Sequence, residues 1–138
     1  MDCATSAACA PSGSDVGVLL DSVILIDHLN GVPAAGKYLR GLRDAHVSVI
    51  TRAEVLAGSQ PIDIAAITEL LDRYPTLSID KGIADLAAEL RREHRWRLPD
   101  AFQAALAQAH GLQLATRNTK DFSPGKHPWV TVPYLLTK

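Results

Sequence analysis

The chain has 138 residues, of which 47% are hydrophobic and 21% are charged. A chain of this length can build one hydrophobic core, and this composition excludes a fibrous or an intrinsically disordered protein. The longest apolar run, residues 17–26, is interrupted by Asp21 and is too short to span a membrane. We therefore expect a soluble protein without a membrane segment.

The first sixteen residues differ in composition from the rest. They are rich in Ala and Ser, contain both cysteines, Cys3 and Cys9, and have no Lys or Arg. We expect residues 1–16 to be a disordered extension and residues 17–138 to form a single domain. Because that domain contains no cysteine, it offers neither a disulfide framework nor a thiolate metal site, and a reducing cytoplasmic location is expected.

From residue 17 onward, short β-like runs alternate with segments of helical periodicity. Strands are predicted at residues 17–20, 47–50, 77–79, 112–115 and 129–132. Helices are predicted at residues 22–29, 35–42, 64–74, 80–90 and 99–111. This alternation is typical of an α/β protein, so the prediction is a three-layer α/β/α sandwich with a central parallel sheet.

Four acidic residues lie at or just beyond the ends of the predicted strands. Asp21 directly follows the first strand, and Glu54 comes one helical turn after the second. Asp100 begins the helix after Pro99, and Asp121 lies in the turn after the 112–115 strand. Ligands of parallel α/β sheets bind outside the carboxyl ends of the strands, so these acids are expected to converge on one crevice.

Each of the four acids also has a purely structural explanation. Asp21 can cap the helix that follows it, and residues 51–54 match a capping box in which Glu54 reaches back to its own helix start. Asp100 would complement the dipole of its helix, and Asp121 can be an ordinary loop residue. These explanations are independent of one another, whereas a shared site requires all four acids at one sheet edge.

Four carboxylates in one pocket would repel one another. Two unit charges about 4 Å apart repel by roughly 4 kcal/mol at an effective dielectric constant near 20. Some of the acids must then be protonated, or a cation must neutralise them. Oxygen ligands without His or Cys suit Mg²⁺ or Mn²⁺, which contact substrate phosphates directly. The sequence contains no P-loop, so we expect a metal-dependent reaction at a phosphodiester or phosphoanhydride rather than P-loop nucleotide hydrolysis.

Four segments carry a further signal, at residues 19–29, 48–58, 98–102 and 115–122. In order and spacing they resemble the motifs of PIN-domain nucleases, with the closest likeness to the VapC toxins of bacterial and archaeal toxin–antitoxin pairs. The resemblance covers nearly all of residues 17–133. It implies that the catalytic and metal-holding carboxylates are Asp21, Glu54, Asp100 and Asp121. It also implies that three polar residues orient metal-bound water or phosphate, namely Ser22, Thr116 and Asn118.

The resemblance implies a Mg²⁺- or Mn²⁺-dependent endoribonuclease, the toxin of a VapBC-type pair, which cleaves tRNA, rRNA or mRNA and leaves 5′-phosphate ends. It further implies two protein partners. One is a VapB-like antitoxin, whose amphipathic helix would occupy a groove between helices. The other is a second copy of the chain, in a homodimer. Two alternatives stay open: a PIN-type nuclease of RNA maturation, and a non-catalytic module that binds RNA or a partner through its acidic pocket.

Positive charge for RNA binding is present outside the acidic cluster. Apart from the four candidate acids, residues 17–138 contain 14 basic and 9 acidic side chains. The run 91–97 is either a surface that grips phosphates and stacks a base or a solvated helix end. Arg52 and Arg117, which neighbour candidate acids in sequence, are expected to form salt bridges or phosphate contacts. The candidate RNA-binding residues are Arg91, Arg92, Arg95, Trp96 and Arg97.

Overall fold

A five-stranded parallel sheet forms the centre of the computed structural model, which describes residues 17–136. The strands are β1 (Val18–Leu20), β2 (Ala45–Ser48), β3 (Thr76–Leu77), β4 (Gln113–Ala115) and β5 (Val130–Thr131). Their order in the sheet is β3-β2-β1-β4-β5, and all four pairings are parallel. The predicted extension, residues 1–16, lies outside the described residues.

Helices connect the strands. Five of them lie where the periodicity predicts a helix, with ends that differ by up to four residues, and a sixth, residues 49–57, was not predicted from periodicity. The helices are α1 (Ser22–Leu29), α2 (Pro33–Arg40), α3 (Val49–Ala57), α4 (Ile64–Leu71), α5 (Lys81–His94) and α6 (Leu98–His110). Asp80 caps α5, since its carboxylate accepts a hydrogen bond from the backbone N–H of Ile83 at 2.9 Å. Gly111 ends α6 with a left-handed φ of 66°, a conformation that glycine adopts without steric cost.

The sheet is covered on both faces, which confirms the predicted three-layer α/β/α sandwich. Side chains alternate across a strand, so Leu19 packs on one face with α5 and α6. Val18 and Leu20 point to the other face, where they pack with apolar residues of α1, α3 and α4. Among residues 17–136, no helix is both long and apolar enough to cross a bilayer.

The second strand ends earlier than predicted, and the reason is a helix cap. Val49 and Ile50 belong to α3 rather than to β2. The Ser48 hydroxyl accepts a hydrogen bond from the backbone N–H of Thr51 at 3.0 Å, so Ser48 is the N-cap of α3. The expected capping box at residues 51–54 is therefore wrong, and Glu54 is not used to start its helix.

The predicted role of Trp96 in stacking an RNA base is also wrong. Its side chain is only 5% exposed and belongs to the core on the α5–α6 face of the sheet. The indole ring stacks on His94 at a centroid distance of 4.1 Å and contacts Phe122 at 4.9 Å. An apolar ring at the end of an amphipathic helix gains more from this burial than from exposure to solvent.

An ion pair with a buried carboxylate and a partly exposed guanidinium joins the loop after β4 to helix α1. The Arg117 guanidinium donates two hydrogen bonds to the Asp27 carboxylate, at 2.6 and 2.8 Å, and the Tyr134 hydroxyl donates a third at 2.8 Å. Arg117 thereby holds the pKa of Asp27 below its usual value. The expected salt bridge of Arg52 is also present, with Asp72 at 2.7 Å.

We expect the substitution Arg117→Met to destabilise the fold by about 2 kcal/mol at pH 7, because it leaves the Asp27 charge buried without its partner. The pKa of Asp27 is depressed in the folded state, so the stabilisation by Arg117 is complete above the unfolded pKa, 3.8, and is lost as the pH falls below it. Thermal unfolding of both proteins between pH 7 and pH 3 measures this. The control, Arg52→Met, removes a more exposed pair and should cost less than about 1 kcal/mol. Equal losses from the two variants would contradict the assignment.

Candidate active site

Three strand ends build one edge of the site, because parallel strands place their carboxyl ends together. Asp21 follows β1, Ser48 ends β2, and Thr116 follows β4. The backbone N–H of Asp21 donates to the carbonyl oxygen of Ala115 at 3.0 Å, which holds the ends of β1 and β4 side by side. Each of these positions carries a polar side chain that the structure buries.

Asp21 is the most enclosed acid of the site, with a relative exposure of 8%. Its Oδ2 accepts a hydrogen bond from the Thr116 hydroxyl at 2.7 Å, and its Oδ1 accepts one from the backbone N–H of Ser22 at 2.9 Å. Asp21 is thus the N-cap of α1, as the structural explanation predicted, but only one of its oxygens is used for this. Burial raises the pKa of Asp21 above the usual value, and the negative charge of Glu54 adds to this rise.

Asp100 lies in the first turn of α6 and is half-buried beside the other acids. Burial, followed by the negative charge of Asp21, raises its pKa to about 6. The negative charges of Asp121 and Glu54 contribute smaller parts of this rise, and the positive charge of Arg97 opposes it. The four predicted acids therefore act on one another electrostatically, although they come from four separate segments of the chain.

Glu54 and Asp121 are held less tightly than Asp21. Glu54 projects from α3 and is partly exposed. Asp121 lies in the loop after β4, where its Oδ2 accepts a hydrogen bond from the Asn118 side-chain amide at 3.2 Å. Both acids contribute negative charge at Asp100. The site therefore contains one buried acid, Asp21, and two partly exposed acids, Glu54 and Asp121.

The three predicted supporting residues contact the acids in different ways. The Thr116 hydroxyl bridges two segments, because it donates to Asp21 and accepts from the backbone N–H of Asn118 at 3.0 Å. Asn118 in turn contacts Asp121. Ser22 contributes its backbone N–H, and its hydroxyl forms no hydrogen bond within residues 17–136. Thr116 and Asn118 thus link Asp21, at the end of β1, to Asp121, in the loop after β4.

Gln103 is a site residue that the sequence analysis missed. It is 1% exposed, and its side-chain amide donates to the Thr51 hydroxyl at 2.7 Å and lies 3.5 Å from Asp21 Oδ1. Its carbonyl oxygen accepts from the Ser48 hydroxyl at 2.8 Å. The available signal was a polar residue on an otherwise alanine-rich helix, three positions after Asp100 and therefore on the same side of α6.

The donor set of this site fits a hard divalent cation in its chemistry. All four candidate ligands are carboxylates, and their mutual repulsion is the charge imbalance that such a cation relieves. In the side-chain arrangement described for residues 17–136, no three Asp, Glu, His or Cys side chains are grouped tightly enough to hold a metal ion together. The four acids therefore fit a divalent cation by ligand type and charge, and not by a coordination geometry.

The chain is similar to several known proteins in sequence and in fold. Residues 18–123 match the profile of the family described as PIN domain. Ribonuclease VapC10 of Mycobacterium tuberculosis is 34% identical over 113 residues, which cover 76% of this chain and 85% of the relative. Ribonuclease VapC19 of the same organism is 31% identical over 113 residues, covering 75% and 90%. A solved toxin–antitoxin complex from Klebsiella pneumoniae contains a chain that is 36% identical, with a TM-score of 0.79, and the match covers 87% of this chain and 100% of that one.

Proposed function

The chain belongs to the PIN-domain family, and on this premise we propose that it is the Mg²⁺- or Mn²⁺-dependent endoribonuclease toxin of a VapBC-type toxin–antitoxin pair. The observation that carries the proposal is the electrostatic coupling of Asp21, Glu54, Asp100 and Asp121 at the carboxyl edge of the sheet. Two relatives named as ribonucleases and a neighbour described as a toxin–antitoxin complex support it.

The four acids would hold the metal, with Asp21, Glu54 and Asp100 at the principal position and Asp121 at a second metal or at the attacking water. A bound divalent cation lowers the pKa of a water molecule and stabilises the leaving oxygen of a phosphodiester. The proposed products are a 5′-phosphate and a 3′-hydroxyl. Oxygen ligands suit this chemistry because Mg²⁺ retains waters and binds phosphate oxygens directly.

The neighbouring residues prepare these acids for their role. The Thr116 hydroxyl and the Ser22 N–H use one lone pair on each oxygen of Asp21, and they fix its orientation while leaving further lone pairs for a ligand. These bonds also favour the charged form of the Asp21 carboxyl against the effect of burial on its pKa. Asn118 restrains Asp121 in a loop that has no regular secondary structure. Such supporting contacts orient metal ligands in advance of binding.

RNA fits the charge distribution of the chain better than an uncharged substrate does. Outside the four acids, residues 17–138 have an excess of basic over acidic side chains, 14 against 9. This excess attracts a polyanion, while the acidic pocket admits a phosphate only together with a cation. Entry of the scissile phosphate into the acidic pocket therefore depends on the metal in the proposed mechanism, whereas contacts of the RNA with basic side chains elsewhere do not.

The antitoxin partner fits a cleft of about 550 Å³ between α1, α3 and α4. Ile26 and Leu29 on its rim are 38% and 40% exposed, and Val55 and Ile67 lie at its base. A groove between helices that combines exposed apolar side chains with a polar rim is a surface to which an amphipathic helix of a partner binds. Homodimer formation remains an expectation from the resemblance.

Cleavage of a structured RNA by the purified chain tests the proposal. We expect cutting in Mg²⁺ or Mn²⁺ and a loss of at least about 100-fold in excess EDTA, because the attacking water then has no cation to lower its pKa. Restoring the divalent ion should restore the rate, and end-group analysis should find 5′-phosphates. Equal cutting in EDTA would refute the metal mechanism, and RNA binding without any cutting would favour the non-catalytic alternative.

A further inference from the structure

Three arginines line a second cleft, separate from the acidic site. Arg91, Arg92 and Arg95 surround a space of about 560 Å³ at the junction of α5 and α6, together with Ala88 and Leu98. All three arginines are exposed, and Leu98 beside them is 46% exposed. We call this surface the arginine cleft.

The charges of the arginine cleft are not neutralised by the fold. Within residues 17–136, none of its three guanidinium groups forms a salt bridge with a carboxylate. Arg91 donates a hydrogen bond to the carbonyl oxygen of Trp96 at 2.6 Å, which fixes its position at the end of α5. Arg92 and Arg95 form no side-chain hydrogen bond to any other residue in that range. Two cations are thus available to a ligand.

The backbone of Arg95 has a left-handed conformation, which is unusual for a residue with a side chain. Arg95 is the C-cap of α5, with φ of 61° and ψ of 27°, and it is the only residue other than glycine with a positive φ in the described part of the chain. Glycine closes a helix in this conformation without steric cost, whereas a residue with a Cβ does not. Strained backbone that persists in a folded protein is concentrated at functional sites.

The arginine cleft adjoins the acidic site through the start of α6. Leu98 lines the cleft, and Asp100 lies two residues further along the same helix. Arg97, between the cleft and Asp100, is close enough to oppose the rise in the pKa of Asp100. Residues two apart on a helix point to different sides, so a polyanion in the cleft would reach the carboxylates by passing around the first turn of α6, where Arg97 lies.

We infer that the arginine cleft binds the sugar-phosphate backbone of the RNA substrate beside the position of cleavage, an inference that rests on the proposed function. Clustered guanidinium groups match a ligand with one negative charge per nucleotide, and such contacts position a nucleic acid without reading its sequence. The exposed apolar surface of Leu98 suits a ribose or the edge of a base. An acidic segment of a protein partner would carry the same charge, but RNA is the polyanion that the proposed function already brings to this part of the chain.

The substitution Arg95→Gly separates a binding role from a structural one. It removes a guanidinium and also relieves the left-handed backbone, so thermal stability should stay the same or rise. We expect the Kd for a fluorescein-labelled single-stranded RNA, measured by fluorescence anisotropy in EDTA, to increase about three- to fivefold. The slope of log K against log salt should fall by about 0.7 for the lost phosphate contact. In Arg92→Ala/Arg95→Gly the loss should reach about tenfold.

Lys81→Ala is the matched control, because it removes one positive charge from the opposite end of the same helix. This variant should bind RNA as the unsubstituted chain does. An unchanged Kd and salt slope in the double variant would overturn the inference, and so would an equal loss in Lys81→Ala. Normal RNA binding combined with weaker antitoxin binding would assign the cleft to the protein partner instead. Since anisotropy in EDTA reports binding alone, a chain that binds RNA but never cleaves it would reject the proposed nuclease and not the cleft.

Discussion

Substitution of Asp100 by Asn is expected to reduce RNA cleavage on the order of 10³-fold or more while the fold is kept. The amide has nearly the same shape as the carboxylate but cannot supply the negative charge that holds a divalent cation. Burial and the neighbouring acids raise the pKa of Asp100 from 3.8 to about 6, so stability falls as the pH rises between these two values, and the charged carboxyl opposes folding in full above them. Asp100→Asn should therefore unfold at a higher temperature than the unsubstituted chain at pH 7.5.

The combination of lost activity with gained stability is the diagnostic result. It would be measured by cleavage of a labelled RNA in Mg²⁺ and by thermal unfolding of the same preparations. Asp85→Asn is a suitable control, because Asp85 is an exposed acid on α5 outside the site. Full cleavage by a nuclease-free preparation of Asp100→Asn would remove Asp100 from the mechanism. A lower unfolding temperature would show that its carboxylate stabilises the fold.

Substitution of Gln103 by Leu should cause the largest loss of stability among single changes at the site, about 2–3 kcal/mol. Leu fills a similar volume but leaves the buried hydroxyls of Ser48 and Thr51 without their amide partner. The unfolding midpoint should fall by roughly 10 °C. Cleavage should also fall, because the amide lies 3.5 Å from Asp21 Oδ1 and helps to orient that carboxylate.

Gln108→Leu provides the comparison on the same helix. Gln108 is exposed, so its substitution removes no buried partner and should change the free energy of unfolding by less than about 0.5 kcal/mol. Chemical denaturation of the two variants and of the unsubstituted chain measures both effects. Similar stabilities for Gln103→Leu and Gln108→Leu would show that the buried amide network does not contribute to folding as argued.

The α/β architecture and the positions of the four acids followed from the sequence, because both depend on local patterns. Hydrophobic runs separated by amphipathic helices predict a parallel sheet, and a parallel sheet places the ends of its strands at one edge. Asp80 as a cap and Gly111 as a helix end were predictable for the same reason, since each acts within one helical turn. The predicted strand at 47–50 extends too far because Val49 and Ile50 are β-branched residues typical of strands. In the structure they belong to the helix that Ser48 caps.

The contacts between distant segments were decided by the tertiary structure alone. No local pattern pairs Asp27 with Arg117, which are 90 residues apart, or Gln103 with Ser48, which are 55 apart. In the sequence, Trp96 is part of a basic run. Its burial depends on contacts with His94 and with Phe122, which lies in the loop after β4. Periodicity and spacing report the forces within an element. Burial, pKa shifts and long-range hydrogen bonds arise only when elements pack against one another. For this chain, these long-range contacts are what identify Thr116 and Gln103 as residues that hold the Asp21 carboxylate in place.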